Sequence, residues 1–147
     1  MIGNPGVIVL ADLFLKGFVK DSLGAFNAMK ASCMLDERSL NALKSYGYVP
    51  FDAPDCGESV AKGLEYAIAD NAVSKIAATL GLDDDTAYFG SRGQSYKCYF
   101  DSTLQFMRGK SMAGQFRDEP FNPFATTHRA DDYCEGNGWQ YVWLVPH

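Results

Sequence analysis

A chain of 147 residues, 47% hydrophobic and 21% charged, has the composition of one globular domain and excludes a disordered chain. Its formal net charge is -5, from 13 Lys and Arg against 18 Asp and Glu, which leaves no basic stripe for a nucleic-acid backbone. The apolar run 7–15 is interrupted by Asp12 and is too short to cross a bilayer, so we expect no membrane span.

Apolar spacing predicts five helices in the first hundred residues. The first begins near Pro5 and ends near Gly17, and the second is capped by Ser22 and carries an apolar stripe as far as Cys33. A short third helix spans 39–46. These helices are amphipathic, so each needs a neighbour on its apolar face.

The strongest helix signal runs from residue 60 to residue 80, where apolar residues recur every four positions. We expect this fourth helix to be long and half buried. A fifth begins with the acidic turn 83–85, which favours the helix dipole, and carries on one face Tyr88, Arg92, Tyr96 and Tyr99. Close packing is expected around three glycines inside the predicted helices, namely Gly63, Gly90 and Gly93.

The helical period stops after residue 101, and glycines and prolines predict a short hairpin or an irregular loop over 102–125. A last helix is predicted from Gly138 to Val145, before Pro146. Antiparallel helix pairs joined by such a loop predict an all-α fold, either a bundle or part of a helical toroid.

Four cysteines and two histidines are too scattered to favour a zinc site, because no C-x-x-C pair occurs. We interpret the cysteines as free or structural thiols: Cys33, Cys56, Cys98 and Cys134.

Glu135 is the candidate catalytic carboxyl, because it opens the segment E-G-N-G-W-Q-Y, whose glycines let the backbone turn beside two aromatic rings. Partial desolvation there would raise the pKa of this carboxyl toward the range of a general acid, which a glycosidic oxygen requires. The spacing also fits a structural interpretation, in which Asp132 caps the last helix and Glu135 completes a capping box.

Acidic residues on the fourth helix also admit two interpretations. Glu58 would complete a helix cap with Asp55, and the charges at Lys62, Glu65 and Asp70 would form a solvated helix face. A role in a binding site is the alternative.

An aromatic group follows Glu135, with Trp139 and Trp143 four residues apart on one side of the last helix and Tyr141 between them. Core packing is the simpler interpretation. Stacking on a sugar ring requires a nearby carboxyl, which Glu135 would supply.

Long stretches of the chain resemble glycoside hydrolase family 92. Segment 48–80 contains Y-V-P and E-S-V-A-K-G-L-E-Y-A, similar to the family's Y-V-P and E-S-V-S-K-T-L-E-Y-A. The resemblance continues through R-G-Q-S-Y-K-C-Y-F-D at 92–101, F-M-R at 106–108 and P-F-N-P at 120–123. It ends with E-G-N-G-W-Q-Y-V-W-L-V-P-H at 135–147, which resembles E-G-N-A-W-Q-Y-T-W-F-V-P-H-D.

This resemblance implies a catalytic domain with an N-terminal β-sandwich followed by an (α/α)6 toroid, of which residues 1–147 would be an internal part. It implies removal of α-linked mannose from mannose-rich N-glycans or related α-mannosides with inversion, using bound Ca2+. The parent protein would be secreted, periplasmic or on the surface of a bacterium. The base aspartate and several calcium ligands would follow residue 147, so we expect this piece alone to be inactive.

Residue by residue, the resemblance gives Glu135 the role of general acid. The positions that it places in or beside the sugar pocket, or on the acidic side of the long helix, are Asn137, Trp139, Gln140, His147, Glu58 and Glu65. Two departures leave a degenerate, non-catalytic carbohydrate-binding or structural helical domain as the alternative. Residues 68–71 read I-A-D-N in place of Y-D-D-W, and residues 108–110 read R-G-K in place of R-P-R.

Overall fold

Residues 2–118, 120–126 and 132–147 are described by a computed structural model. Helices dominate it, and the elements in chain order are α1 (Pro5–Leu15), α2 (Ser22–Cys33), α3 (Leu40–Tyr46), α4 (Ser59–Thr79), α5 (Asp83–Arg92), a 3-10 turn (Ser95–Cys98), β1 (Phe100–Asp101), β2 (Phe106–Met107) and α6 (Gly138–Tyr141). The five predicted helices of the first hundred residues are confirmed. The fold is thus mostly helical with a small two-stranded sheet.

Helices α2 and α5 each differ from the prediction at one end. The cap of α2 is Asp21 rather than Ser22, because the Asp21 carboxylate accepts a hydrogen bond from the Gly24 amide at 2.8 Å. Helix α5 ends at Arg92 and a 3-10 turn follows, so Tyr96 and Tyr99 do not continue its face.

The last helix, α6, has only four residues, so its predicted extension to Val145 is wrong. The amides of Trp143 and Leu144 bond to carbonyls three residues back, which is a 3-10 pattern. Pro146 disfavours helical backbone at Val145 before it and offers no amide of its own. The chain therefore leaves the helix after one turn.

Helix α4 lies at the centre of the fold, and α1, α2 and α5 pack against it. It is buried on nearly every side, more than the half predicted. Gly63 is needed for this packing, since a Cβ there would lie 2.0 Å from the Tyr99 hydroxyl oxygen. Three apolar clusters surround it in the described part of the chain: one around Phe26, Val73 and Phe89, one under the C-terminal segment around Leu64, and one between α3 and Tyr66.

The solvated face predicted on α4 is wrong for Asp70, which is 1% exposed. The Arg92 guanidinium donates to both Asp70 oxygens at 2.6 Å and to the Cys33 carbonyl at 2.8 Å. Lys62 and Glu65 are partly exposed. The Asp70–Arg92 pair therefore joins α4, α5 and the end of α2 inside the core.

The predicted hairpin is confirmed, although it begins slightly earlier than the expected region 102–125. Strands β1 and β2 are antiparallel, with Phe100 opposite Met107. Asp101 holds the turn, because its carboxylate accepts from the Thr103 amide at 2.9 Å and pairs with Arg108 at 2.6 Å. All four cysteines are free, as predicted. Of the helices in the described part of the chain, none combines the length and apolarity that a bilayer crossing needs.

Candidate active site

A cavity of about 180 Å³ lies between the N-terminal half of α4 and the C-terminal segment. It brings together three residues that the sequence singles out: Glu65, Glu135 and Gln140. Its other lining residues are Cys134, Gly136, Tyr141 and Leu144. Cys134 and Leu144 were not predicted as cavity residues, and Tyr141 was predicted only as an aromatic neighbour, although Tyr141 and Leu144 lie within the motif 135–147 and Cys134 directly precedes it.

Glu135 has left-handed backbone, with φ 52°, and its side chain is exposed. The burial that the sequence analysis expected for it is therefore not found. Left-handed backbone costs a non-glycine residue about 1–3 kcal/mol and is concentrated at functional sites. Gly136 follows, where a Cβ would lie 3.0 Å from the Tyr141 ring, so the turn rests directly on that ring.

The cap of α6 is formed by Asn137 and Gln140. The Asn137 side-chain oxygen accepts from the amides of Trp139 and Gln140 at 3.1 and 3.3 Å, and the Gln140 side-chain oxygen accepts from the Asn137 amide at 2.9 Å. This is a complete capping box. The predicted box of Asp132 and Glu135 is therefore wrong, and Glu135 lies outside the cap.

Asp132 instead joins three parts of the chain. Its carboxylate accepts from the Ser59 hydroxyl and the Gly109 amide, each at 2.9 Å, and pairs with Arg117 at 2.8 Å. Its carbonyl accepts from the Ala61 amide at 3.0 Å. The start of α4 is thus fixed to the segment that carries Glu135.

Glu58 occupies the N-cap position of α4 with φ 60° but makes no side-chain cap bond, so its predicted cap with Asp55 is wrong. Its carboxylate lies beside the Cys134 thiol instead. Burial, together with a hydrogen bond to Glu58 and the charges of Glu58 and Glu135, raises the pKa of Cys134 to about 11. The thiol therefore stays protonated at neutral pH.

Glu65 reaches the cavity from α4 and is half buried. Gly3 covers it closely, since a Cβ at Gly3 would lie 2.6 Å from the Glu65 Cβ. This desolvation raises the pKa of the Glu65 carboxyl. Burial likewise raises the pKa of Tyr141 to about 12, with contributions from Cys134, Glu65 and Glu58. The site is thus acidic, and its carboxylates are suited to accept hydrogen bonds from hydroxyl groups.

The interpretation of core packing is confirmed for Tyr141, which is buried, but is wrong for the two tryptophans, which are on the surface. Trp139 is 50% exposed and Trp143 is 81% exposed. Trp139 contacts Phe106 edge to face at 4.9 Å and Phe124 at 6.2 Å between ring centroids. Trp139, Phe106 and Phe124 therefore form one aromatic surface, and none of these three rings lines the cavity.

His147 lies outside the cavity lining. Its Nε2 is 2.9 Å from the Gly93 carbonyl oxygen, and its ring meets Tyr96 edge to face at 5.5 Å. The structure therefore does not bring His147 together with Glu135.

A calcium site is not found in the residues described. Calcium takes six to eight oxygen ligands, often carboxylates. Within 2–118, 120–126 and 132–147, no three His, Cys, Asp or Glu side chains are grouped closely enough to hold a metal ion. The Ca2+ that the family resemblance implies therefore stays a prediction for the complete catalytic domain.

Comparisons with known proteins agree on one family. The family model described as the glycosyl hydrolase family 92 catalytic domain matches residues 1–147. A family GH92 α-mannosidase from Bacteroides thetaiotaomicron in complex with mannoimidazole is 38% identical, with a TM-score of 0.92, over 99% of this chain and 20% of that one. A family GH92 inverting mannosidase from Bacteroides thetaiotaomicron VPI-5482 is 30% identical, with a TM-score of 0.85, over 99% and 20%. A search of curated protein sequences gave no significant match. This chain spans about a fifth of the length of the solved structures.

Proposed function

Because this chain belongs to glycosyl hydrolase family 92, we propose that it forms part of an inverting exo-α-mannosidase whose general acid is Glu135. One observation carries the proposal: Glu135, in the E-G-N-G-W-Q-Y motif, lies in left-handed backbone at a cavity that also holds Glu65 and Gln140. The substrate would be a terminal α-linked mannose of a mannose-rich glycan. We propose that the helices of this chain form part of an (α/α)6 toroid that surrounds the site.

In an inverting glycosidase, two carboxyl groups about 6.5 to 9.5 Å apart divide the work. Glu135 would give its proton to the glycosidic oxygen as the bond from that oxygen to the anomeric carbon breaks. A carboxylate on the opposite face would take a proton from the attacking water, whose oxygen forms the new bond. We expect this base to be an aspartate from another part of the catalytic domain.

The other cavity residues would bind the sugar. The half-buried Glu65 carboxylate and the Gln140 side chain both face the cavity, where they would bond to hydroxyl groups. Outside the cavity lining, the half-exposed Trp139 would offer a ring face to the apolar side of a sugar. Asn137 would contribute through its cap, by fixing the position of Gln140.

Substitutions in the family pattern at 68–71 favour a degenerate, non-catalytic domain as the second candidate. The two patterns share Asp70, which is buried against Arg92, and differ at Ile68, Ala69 and Asn71. None of these three residues lines the cavity of Glu135, which favours the enzymatic proposal.

The test is release of mannose from an α-mannoside by the complete protein that carries this chain, compared with its Glu135→Gln variant. Glu37→Gln is the matched control, because Glu37 is an exposed glutamate elsewhere on the surface. Loss of the acid should lower kcat by about 10²- to 10⁴-fold on substrates with poor leaving groups. NMR should show β-mannose as the first product.

Full turnover of Glu135→Gln would show that Glu135 is not the acid. An α-anomeric first product would exclude inversion. No mannose release by the unmodified protein would favour the non-catalytic candidate.

A further inference from the structure

We propose that Tyr141 is a positioning residue for Glu135, because its hydroxyl holds the turn that aims the carboxyl into the cavity. This inference rests on the proposed function of Glu135 as the acid. Tyr141 would act through the backbone of Cys134 and would not itself exchange a proton with the substrate.

The hydroxyl of Tyr141 bonds to both backbone polar groups of Cys134. It donates to the Cys134 carbonyl at 2.6 Å and accepts from the Cys134 amide at 3.2 Å. Since Cys134 directly precedes Glu135, one side chain fixes the peptide plane from which the acid extends. Such a bridge between a side chain and both groups of one residue leaves that residue little freedom to rotate.

The turn needs this restraint because Glu135 has left-handed backbone. A non-glycine residue relaxes from that region unless the surrounding structure holds it there. The Tyr141 ring also packs against the turn at Gly136, where there is no room for a Cβ. The cap formed by Asn137 fixes the chain on the other side of Glu135.

Tyr141 is itself held firmly. Its ring is buried and stacks on Tyr133, with centroids 5.0 Å apart, and the Tyr133 hydroxyl donates to the Met107 carbonyl at 2.5 Å. Because burial raises the pKa of Tyr141 to about 12, its hydroxyl keeps its proton throughout the neutral range. The donor is therefore present at every pH at which the enzyme would work.

Tyr141→Phe keeps the ring and removes both hydrogen bonds, so the position of Glu135 becomes less fixed. Proton donation depends on geometry, and a displacement of about 1 Å can cost about 10²-fold. A misplaced acid matters only when the departing oxygen needs a proton. Hydrolysis of α-mannobiose needs one, whereas fluoride leaves from α-mannosyl fluoride without it.

The experiment measures kcat and KM on both substrates for the complete protein and three variants: Tyr141→Phe, Glu135→Gln and Tyr66→Phe. Tyr66 is the matched control, since its buried hydroxyl also donates to a backbone carbonyl at 2.6 Å, that of Arg38. We expect Tyr141→Phe to lower kcat on mannobiose by about 10- to 100-fold and to change kcat on the fluoride by less than about 3-fold. Tyr66→Phe should not separate the two substrates.

The outcomes distinguish the two proposals. If Glu135→Gln lowers kcat on mannobiose much more than on the fluoride and Tyr141→Phe does not, the positioning role is wrong and the acid assignment stands. If Glu135→Gln itself shows no separation, the proposed function fails and this inference fails with it. Should Tyr141→Phe not fold, Gly136→Ala displaces the same turn from the Tyr141 ring, and its Cβ also approaches the Gln140 Oε1 at 3.0 Å. The ratio of kcat on mannobiose to kcat on the fluoride must then fall as expected for Tyr141→Phe, whatever Gln140 contributes to both substrates.

Discussion

Asp70→Asn should be among the most destabilising single changes in this chain. The substitution keeps the shape of the side chain but removes its charge and replaces one acceptor oxygen with an NH2 group, which donates hydrogen bonds. Arg92 donates to both Asp70 oxygens at 2.6 Å, so one of these bonds becomes a contact between two donors. The Arg92 side chain is 6% exposed, and its guanidinium would stay buried with only neutral partners.

Removing one partner of a buried ion pair costs about 3–5 kcal/mol, mostly through the charge that remains. Asp36→Asn is the control, because Asp36 pairs with Lys44 at 2.5 Å but is 85% exposed. Exposed pairs contribute about 0–1 kcal/mol. The two ion pairs have similar N–O distances, yet Asp70→Asn should lower the free energy of unfolding several-fold more than Asp36→Asn.

Native-state hydrogen exchange of the complete protein, followed by mass spectrometry in peptides from α4 and α5, measures the local loss of stability. Asp70→Asn should speed the exchange of protected amides by about two to four orders of magnitude. Replacing the pair together, with Asp70→Leu and Arg92→Met, should cost less than the sum of the two single changes. If Asp70→Asn is no more disruptive than Asp36→Asn, the pair is not the anchor that its burial implies.

Two further predictions follow from the titration of groups beside the cavity. The folded state raises the pKa of Glu65 above 4.5, so this carboxyl destabilises the fold as pH rises from that value through its raised pKa. Glu65→Gln should therefore increase the melting temperature at pH 8 and leave it unchanged at pH 4, and a difference independent of pH would contradict this reasoning. Cys134, with a pKa of about 11, should react with iodoacetamide roughly tenfold faster for each pH unit up to that value. The rate of alkylation, followed by mass spectrometry against pH, should reach its inflection at a lower pH after Glu58→Gln. An inflection already near pH 9 in the unmodified protein would exclude the burial of Cys134.

The long elements could be predicted from the sequence because their signals are local. Apolar residues every three or four positions place a helix without knowledge of its partner. The burial of Asp70 could not be predicted, because its partner Arg92 is 22 residues away and a charged residue on a helix is usually exposed. The same limit hid the exposure of Trp139 and Trp143, whose spacing fits a packed face as well as an open one.

The capping box shows a different limit. D-x-x-E at 132–135 and N-x-x-Q at 137–140 both satisfy its spacing, so the sequence offers two starts for one helix. The left-handed backbone of Glu135 excludes the first, because N3 of a helix is right-handed. Gly138 then lies against Phe121 and Pro123, where a Cβ would come within 3.2 Å, and this tertiary contact lies beyond any local pattern.

Asp132, which caps no helix, fixes the short segment that carries Glu135, the proposed acid. It anchors the chain three residues before Glu135 through Ser59 and Gly109, and Asn137 anchors it two residues after. Position 109 is where the sequence departs from the family's R-P-R. Proline there would have no amide to donate to Asp132, and any Cβ would lie 2.2 Å from an Asp132 carboxylate oxygen. Glycine at 109 is thus required for this contact with Asp132, and the departure from R-P-R leaves the segment that carries Glu135 anchored.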